Sequence, residues 1–372
     1  LLKKSWVSEI LVVSVVIVLG GALLKHITNQ QDQAVAPPKV VAVKNGADPK
    51  FQNKLVQILN NDNYSGTAMM YKNGRLVASY YAGYADYLSD NKNQRNTMYE
   101  IDSIQKSITA VLVMQQVAQH KLALTDHLSQ FYPSVPGSKD ITIRQMLNMT
   151  SGLVLTGPVG PPIAESDTQI IQSDISRVHY LAIMHGHWNY QGVNFNLLCG
   201  ILEKITQQSY QQLFTTQIIQ KLHLKYTEFA YTLPTSVANA TGYTGLITTP
   251  KDAIYTKPST RNQALERNEL GSGQVYMSAG DLYHVESAIL AGKVVPLAAL
   301  KQLYQDASYS KYAAGFYVQP NVKSANGAGY GFESSIHISP NGKDALILLS
   351  NYQAPLFKTK SLAQKFDYLL FN

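Results

Sequence analysis

Cysteine is almost missing from these 372 residues: Cys199 stands alone, so no intrachain disulfide framework and no multi-cysteine zinc or iron–sulfur site can form. Charge is sparse as well, at 15% of residues against about 25% in an average soluble protein. The 31 Lys+Arg against 24 Asp+Glu leave +7, with no basic run to grip a duplex, so no nucleic-acid partner is expected. No Gly-x-Ser-x-Gly elbow occurs, which counts against an α/β-hydrolase, and there is no phosphate-binding P-loop. His185-Gly186-His187 offers two ligands where a metal centre needs three or four and has no evident acidic partner. Neither metal nor cofactor is expected. What the chain does have is a 45% apolar fraction, enough for a sizeable core and incompatible with global disorder.

Long apolar runs are also few. One occupies Ile10 to Leu24, within the length of a signal-peptide core, and counting from Trp6 brings it to a length that would span a bilayer. Cleavage signals are poor: Ala34-Val35-Ala36 lies far past the run and precedes Pro37. An uncleaved anchor over 1–27 is therefore expected in preference to a removed signal peptide. Lys3 and Lys4 before it argue for a cell-membrane protein with its body outside. Residues 28–50 lack a sustained period and read as a flexible linker, leaving 51–372 as the folded body.

Within the body, Ala68–Tyr71 and Leu76–Tyr81 flank Asn73-Gly74, the strongest short-range hairpin signal. From Ser103 the period changes, and Ile104, Ile108, Val111 and Leu112 predict a helix buried on most sides as far as Val117. Short helices are predicted over Leu122–Leu128 and Ile141–Leu147, and a longer one over Asn194–Ile205 with Cys199 on a packed surface. Strands return at Phe316–Val318, Ser335–Ile338 and Ala345–Leu349, and Phe357–Leu370 reads as a closing helix. Strands at both ends with helices between predict one sheet built from both termini plus a helical insertion.

The chemistry concentrates at Asp102-Ser103-Ile104-Gln105-Lys106. If a helix starts at Ser103, positions i and i+3 share a face and the Lys106 amine reaches the Ser103 hydroxyl. Serine is a weak nucleophile that needs an adjacent base, and a buried lysine can serve because desolvation penalises its charged form. The helix N-terminus adds backbone N–H groups for a developing oxyanion. Ser-x-x-Lys alone is weak evidence. Ser89…Lys92 and Ser308…Lys311 match it too, but the first lies in a polar turn and the second has no clear helix start. Ser89-Asp90-Asn91 precedes the candidate nucleophile and reads as a loop.

Around this motif, Thr97 to Ser107 resembles the nucleophile segment of class C β-lactamases and related penicillin-binding proteins. Lys121–Asp126, Ile141–Leu153 and Gly271–Leu282 resemble further segments of that family in the expected order, so the resemblance runs from about Tyr64 to the C-terminus. It implies an α+β, β-lactamase/transpeptidase-like fold: an antiparallel sheet from N- and C-terminal strands, flanked by helices, with an all-helical lobe and the active site between. It also implies that Tyr190, in Trp188–Phe195, is the catalytic tyrosine and that Gly192 replaces a substrate-binding asparagine, with Asn194 as a neighbour that could compensate. The third motif aligns with Ser324–Phe332, putting Ala325 where a cation belongs and Asn326, Gly327 and Ala328 along the site. The Ala328 and Ser103 N–H groups would form the oxyanion hole. Lys323, two residues from Ala325 on a strand, shares its facing and is the nearest replacement cation.

These residues imply a serine hydrolase acting through an acyl-enzyme, with Ser103 attacking and Lys106 and Tyr190 handling protons. Without a cation at position 325, recognition of a substrate carboxylate loses a charge-assisted hydrogen bond of about 1.5–3 kcal/mol. The resemblance then points to the branch that removes D-alanyl esters from teichoic acids, whose acyl end presents an ammonium instead. A D-Ala-D-Ala carboxypeptidase acting on peptidoglycan stem peptides is the near alternative, and a non-catalytic wall-binding protein the distant one.

Overall fold

Asp48 starts the first helix among the described residues. Its side chain accepts the Lys50 N–H, and Pro49 takes the first helical position, where no N–H is needed, so α1 spans Pro49–Asn61. The computed structural model describes residues 47–163, 165–234, 239–245, 255, 258–259, 263–305, 309–354 and 358–371. After α1 come β1 (Gly66–Lys72) and β2 (Arg75–Ala82), paired antiparallel as a hairpin from Gly66↔Ala82 to Lys72↔Arg75. Asn73 and Gly74 close it with φ of 52° and 78°, the left-handed pair that such a tight turn requires.

The middle of the chain holds β3 (Tyr99–Glu100), a 3₁₀ turn at Asp102–Ile104 and the central helix α2 (Gln105–Ala118). It continues with α3 (Ile143–Leu147), α4 (Asp167–Arg177), α5 (Val193–Thr206), β4 (Thr227–Phe229), β5 (Val275–Met277), α6 (Ala279–Leu290) and α7 (Leu297–Leu303). The C-terminal part supplies β6 (Tyr312–Ala313), β7 (Phe316–Val318), β8 (Lys323–Gly329), β9 (Phe332–Ile338) and β10 (Ala345–Ser350). Helices α8 (Thr359–Gln364) and α9 (Asp367–Phe371) follow.

Seven strands form one antiparallel sheet in the order β6-β7-β8-β9-β10-β1-β2. The β1–β10 pairing, from Thr67↔Leu349 to Tyr71↔Ala345, joins the two ends of the chain as the sequence predicts. Strand alternation divides the core. Met69, Ile336 and Ile347 face α2 and α6, while Ala68, Met70, Leu346 and Leu348 face Leu55 and Leu59 of α1, Leu362 of α8 and Phe366 just after it. Every residue of α2 from Gln105 to Gln116 is buried, so this helix is wrapped by the sheet on one side and the helical lobe on the other. Each fully buried Leu or Ile contributes about 1.5–3 kcal/mol, and the turn that carries Ser103 is anchored to that mass of side chains.

Three local expectations differ. Residues 122–127 are not helical, because their carbonyls pair with the first residues of α3: Ile143 N–H donates to Asp126 O and Arg144 N–H to Leu124 O, while the adjoining Leu128 N–H donates to Ile141 O. The closing helix is two helices, α8 and α9, with buried Phe366 at the break and His337 holding Asp367 beyond it. Helix α1 begins inside the span expected to be linker.

The expectation of a cell-membrane location through a transmembrane anchor is corrected. No helix among the described residues is long and apolar enough to cross a membrane. The longest, α2 and α5, have 14 residues each and reach about 21 Å against about 30 Å of hydrocarbon. The anchor expected over 1–27, and the linker as far as residue 46, lie outside the described residues.

Candidate active site

The turn that carries Ser103 is held from below. Ile101 N–H donates to Val275 O, and Ser334 Oγ donates to Ile101 O at 2.9 Å, tying the approach to Ser103 to β5 and β9. Asp102 takes φ = 46°, and the chain then turns through Ser103 into α2. One helical turn on, Lys106 Nζ lies 2.9 Å from Ser103 Oγ and donates to the Ser272 carbonyl, also at 2.9 Å. The Lys106 side chain is 2% exposed, whereas Ser103 lines an open cleft of about 350 Å³.

Tyr190 arrives from another part of the chain. Asn189 N–H donates to Met149 O, fixing the loop ahead of α5, and the Tyr190 ring centre stands 5.2 Å from the Lys106 ammonium. The ring packs edge-on against Tyr312 with centroids 5.8 Å apart, yet 38% of the residue stays exposed at the cleft. Burial, reinforced by the neighbouring Tyr190, pushes the Tyr312 phenol well above its ordinary value. Tyr190 thus remains the accessible phenol of the pair.

Strand β8 forms the facing edge, and Asn326, Gly327 and Ala328 all line the cleft. Gly327 is required there: a Cβ would fall 2.2 Å from Ile101 O and 2.8 Å from Asp102 Cβ. Gly315 plays the same part behind α2, where a Cβ would meet Ser107 N at 2.4 Å. Asn326 is held by Ser335 Oγ donating to its Oδ1 at 2.8 Å.

The two motif departures are not repaired by their neighbours. Gly192 sits at the N-cap of α5, away from the cleft lining. Asn194 is buried, its amide donating to Gln191 O at 3.0 Å and its Oδ1 without a partner. Ala325 is buried, and Lys323 turns from the cleft to place its ammonium 4.8 Å from the Tyr304 ring centre. Burial lowers the Lys323 pKa, which makes it a desolvated core cation that does not stand in for the missing one.

Sequence reasoning missed the groups around Lys106. Asp102 is buried with Oδ2 unpartnered, and its carboxyl is raised well above the ordinary range by burial and the Glu269 carboxylate, with Lys106 opposing. Burial raises Glu269 too, while Lys106 opposes, and Tyr330 Oη donates to it at 3.1 Å. Acids facing the amine are thereby biased toward their neutral form. Also missed were Tyr312, Tyr317, Glu333, Lys358 and Lys360 of the cleft wall. Only the fold brings these close to Ser103, and no local pattern announces them.

The other candidate features lie elsewhere. Ser89 belongs to an exposed turn capped by Asp86, and Lys92 pairs with Asp90. Ser308 lies outside the described residues. His185 Nε2 lies 2.8 Å from the Gln145 side-chain amide, and no group of three His, Cys, Asp or Glu suited to a metal occurs among the described residues. Cys199 is buried against Gly271.

A serine paired with a buried lysine, set at the N-terminus of a central helix and the mouth of a cleft beside a sheet strand, belongs to a serine hydrolase. Comparison with known proteins agrees. The chain belongs to the Beta-lactamase family, which its residues 51–365 match. PbpX of Bacillus subtilis (strain 168) is 28% identical over 82% of this chain and 74% of its own length. Teichoic acid D-alanine hydrolase of Staphylococcus aureus (strain NCTC 8325 / PS 47) is 26% identical over 88% of this chain and 80% of its own. The crystal structure of FmtA from Staphylococcus aureus shares the fold, with a TM-score of 0.75 at 24% identity over 93% of each chain.

Proposed function

We propose that this serine hydrolase removes D-alanyl groups esterified to polyol-phosphate polymers of the cell envelope. The observation that carries the reading is the 2.9 Å contact between Lys106 Nζ and Ser103 Oγ beside a cleft that Ser103 and Tyr190 both line. Lys106, with its proton passed on, takes the Ser103 hydroxyl proton as Oγ attacks the ester carbonyl. The oxyanion is held by the Ser103 and Ala328 N–H groups, a donor pair that uses backbone only and so survives the change at position 325. The Tyr190 phenol then relays a proton to the departing polyol oxygen, leaving D-alanyl-Ser103. Water entering from the open cleft adds its hydroxyl to the acyl carbon and passes a proton through Lys106 and Tyr190 to Ser103 Oγ, which frees D-alanine and restores the serine hydroxyl.

The choice of a D-alanyl ester over a D-Ala-D-Ala terminus rests on the buried Ala325 and the averted Lys323. A peptide terminus carries a carboxylate that wants a cation beside the oxyanion hole, whereas the ester does not. Two relatives of similar rank differ here, and the one named for teichoic acid D-alanine supports the ester. The test is D-alanine release from D-alanylated teichoic acid against release from a stem pentapeptide. Ester turnover that disappears in Ser103→Ala supports the reading; turnover of the peptide alone replaces it with a carboxypeptidase.

A further inference from the structure

The part of the cleft beside Tyr317 is basic. Glu333, Lys358, Thr359 and Lys360 line it, brought there by β9 and the start of α8. The charges on this wall do not cancel. Glu333 is buried and accepts from Lys358 Nζ at 2.8 Å and from Thr359 N–H at 3.3 Å, so Lys358 neutralises it. Lys360 is exposed and has no acidic partner among the described residues, and its ammonium stands 5.3 Å from the Tyr317 ring centre. One unbalanced cation, seated on an aromatic ring, thus faces the same cleft as Ser103.

We propose that Lys360 and Tyr317 form a subsite for the phosphodiester next to the ester that Ser103 cleaves, a deepening that rests on the function proposed above. A polyol phosphate chain alternates a short hydrocarbon stretch with a singly charged phosphodiester. Tyr317 offers an apolar face to the first and Lys360 a freely rotating three-donor cation to the second. The phosphodiester spreads its charge over two oxygens and presents it in several rotational states, which suits a lysine better than a rigid fork. The position explains how the cleft does without a cation at 325. The positive charge is at Tyr317, the far end of the aromatic row that starts with Tyr190, where it meets the polymer and not the acyl group. Lys358 sets the spacing, because its bond to Glu333 keeps that acid from quenching Lys360.

The test compares two esters with the same acyl group and the same leaving hydroxyl: D-alanyl glycerol, which is neutral, and D-alanylated poly(glycerol phosphate). Wild-type protein is expected to prefer the phosphate-containing ester, with the preference shrinking as salt is raised. In Lys360→Ala that preference falls about fivefold, chiefly through KM, as for a partly exposed charge pair. Lys360→Glu lowers it further, and Lys360→Arg restores most of it. An unchanged preference in all three variants overturns the subsite. So does a loss confined to stem-peptide turnover, which would assign Lys360 to a carboxylate. Because chemistry and binding are separable, Ser103→Ala protein is also titrated with unalanylated poly(glycerol phosphate) by calorimetry. Binding that weakens about fivefold on adding Lys360→Ala supports the subsite even if neither ester is cleaved. Binding indifferent to Lys360 refutes it while leaving the function proposed for Ser103 intact.

Discussion

Replacing Gly327 by alanine tests whether the close approach of β8 to the nucleophile turn sets the catalytic geometry. The added Cβ would lie 2.2 Å from Ile101 O and 2.8 Å from Asp102 Cβ. Non-bonded heavy atoms rest about 3.5–4.0 Å apart, so the strand must retreat by about 1 Å. Neither neighbour can yield. Ile101 O already accepts from Ser334 Oγ, and Asp102 is buried in a left-handed conformation at the head of α2. The retreat carries the adjacent Ala328 N–H with it, and loss of one oxyanion donor costs about 10²–10³ in kcat. Overpacking adds about 1–3 kcal/mol of destabilisation. The assay is kcat/KM on a chromogenic D-alanyl ester, with the melting temperature measured on the same preparation. The expected result is a folded protein with activity down at least a hundredfold, about the loss for one oxyanion donor. A folded variant with kcat/KM within about threefold of wild type would refute the reasoning, because the donor then tolerates a displacement of about 1 Å, enough to take it out of hydrogen-bond range.

Two further predictions concern buried charge. Lys323→Met is expected to keep ester turnover within about twofold and to leave stability unchanged or raised, since a desolvated cation over Tyr304 is replaced by an apolar chain of similar length; a tenfold fall in activity, read by kcat/KM, would mean that Lys323 supplies the missing third-motif cation. Glu286, fully buried and accepting from the Ser107 hydroxyl, is raised by burial from 4.5 to about 7. The folded state therefore holds a proton that the unfolded state loses above about pH 4.5, so this group's stabilisation is complete below that pH and is lost as pH rises through about 7. Glu286→Gln should remove this slope, gaining up to about 3 kcal/mol at pH 8 relative to pH 4 in denaturant titrations; equal slopes in both proteins would contradict it.

Local chemistry was the part of the molecule that the sequence made readable. Asn73-Gly74 demands one turn type, and Ile104, Ile108, Val111 and Leu112 recur at helical spacing, so hairpin and central helix could be placed without tertiary information. Ser103 and Lys106 are one helical turn apart, which makes their contact a property of the helix alone. Tyr190 was found only through resemblance, because nothing in its own segment separates it from the other tyrosines. The stretch 122–127 misled because its apolar spacing suits a helix, while its hydrogen bonds are taken by residues 141–144. Strand alternation gave Lys323 the facing of Ala325 but could not show that Tyr304 of the segment after α7 would draw it inward. Asp102, Glu269, Glu333 and Lys360 come from four separate regions of the chain, and only the fold brings them close to Lys106 and its cleft.

The account's central claim is a covalent D-alanyl bond to one hydroxyl. Intact-mass measurement after brief mixing with a D-alanyl ester and acid quench tests it directly. The predicted result is a gain of one alanyl group, mapped by peptide digestion to Ser103 and absent from Ser103→Ala. D-alanine release at full rate with no adduct in any quench, or an adduct that persists in Ser103→Ala, would contradict it.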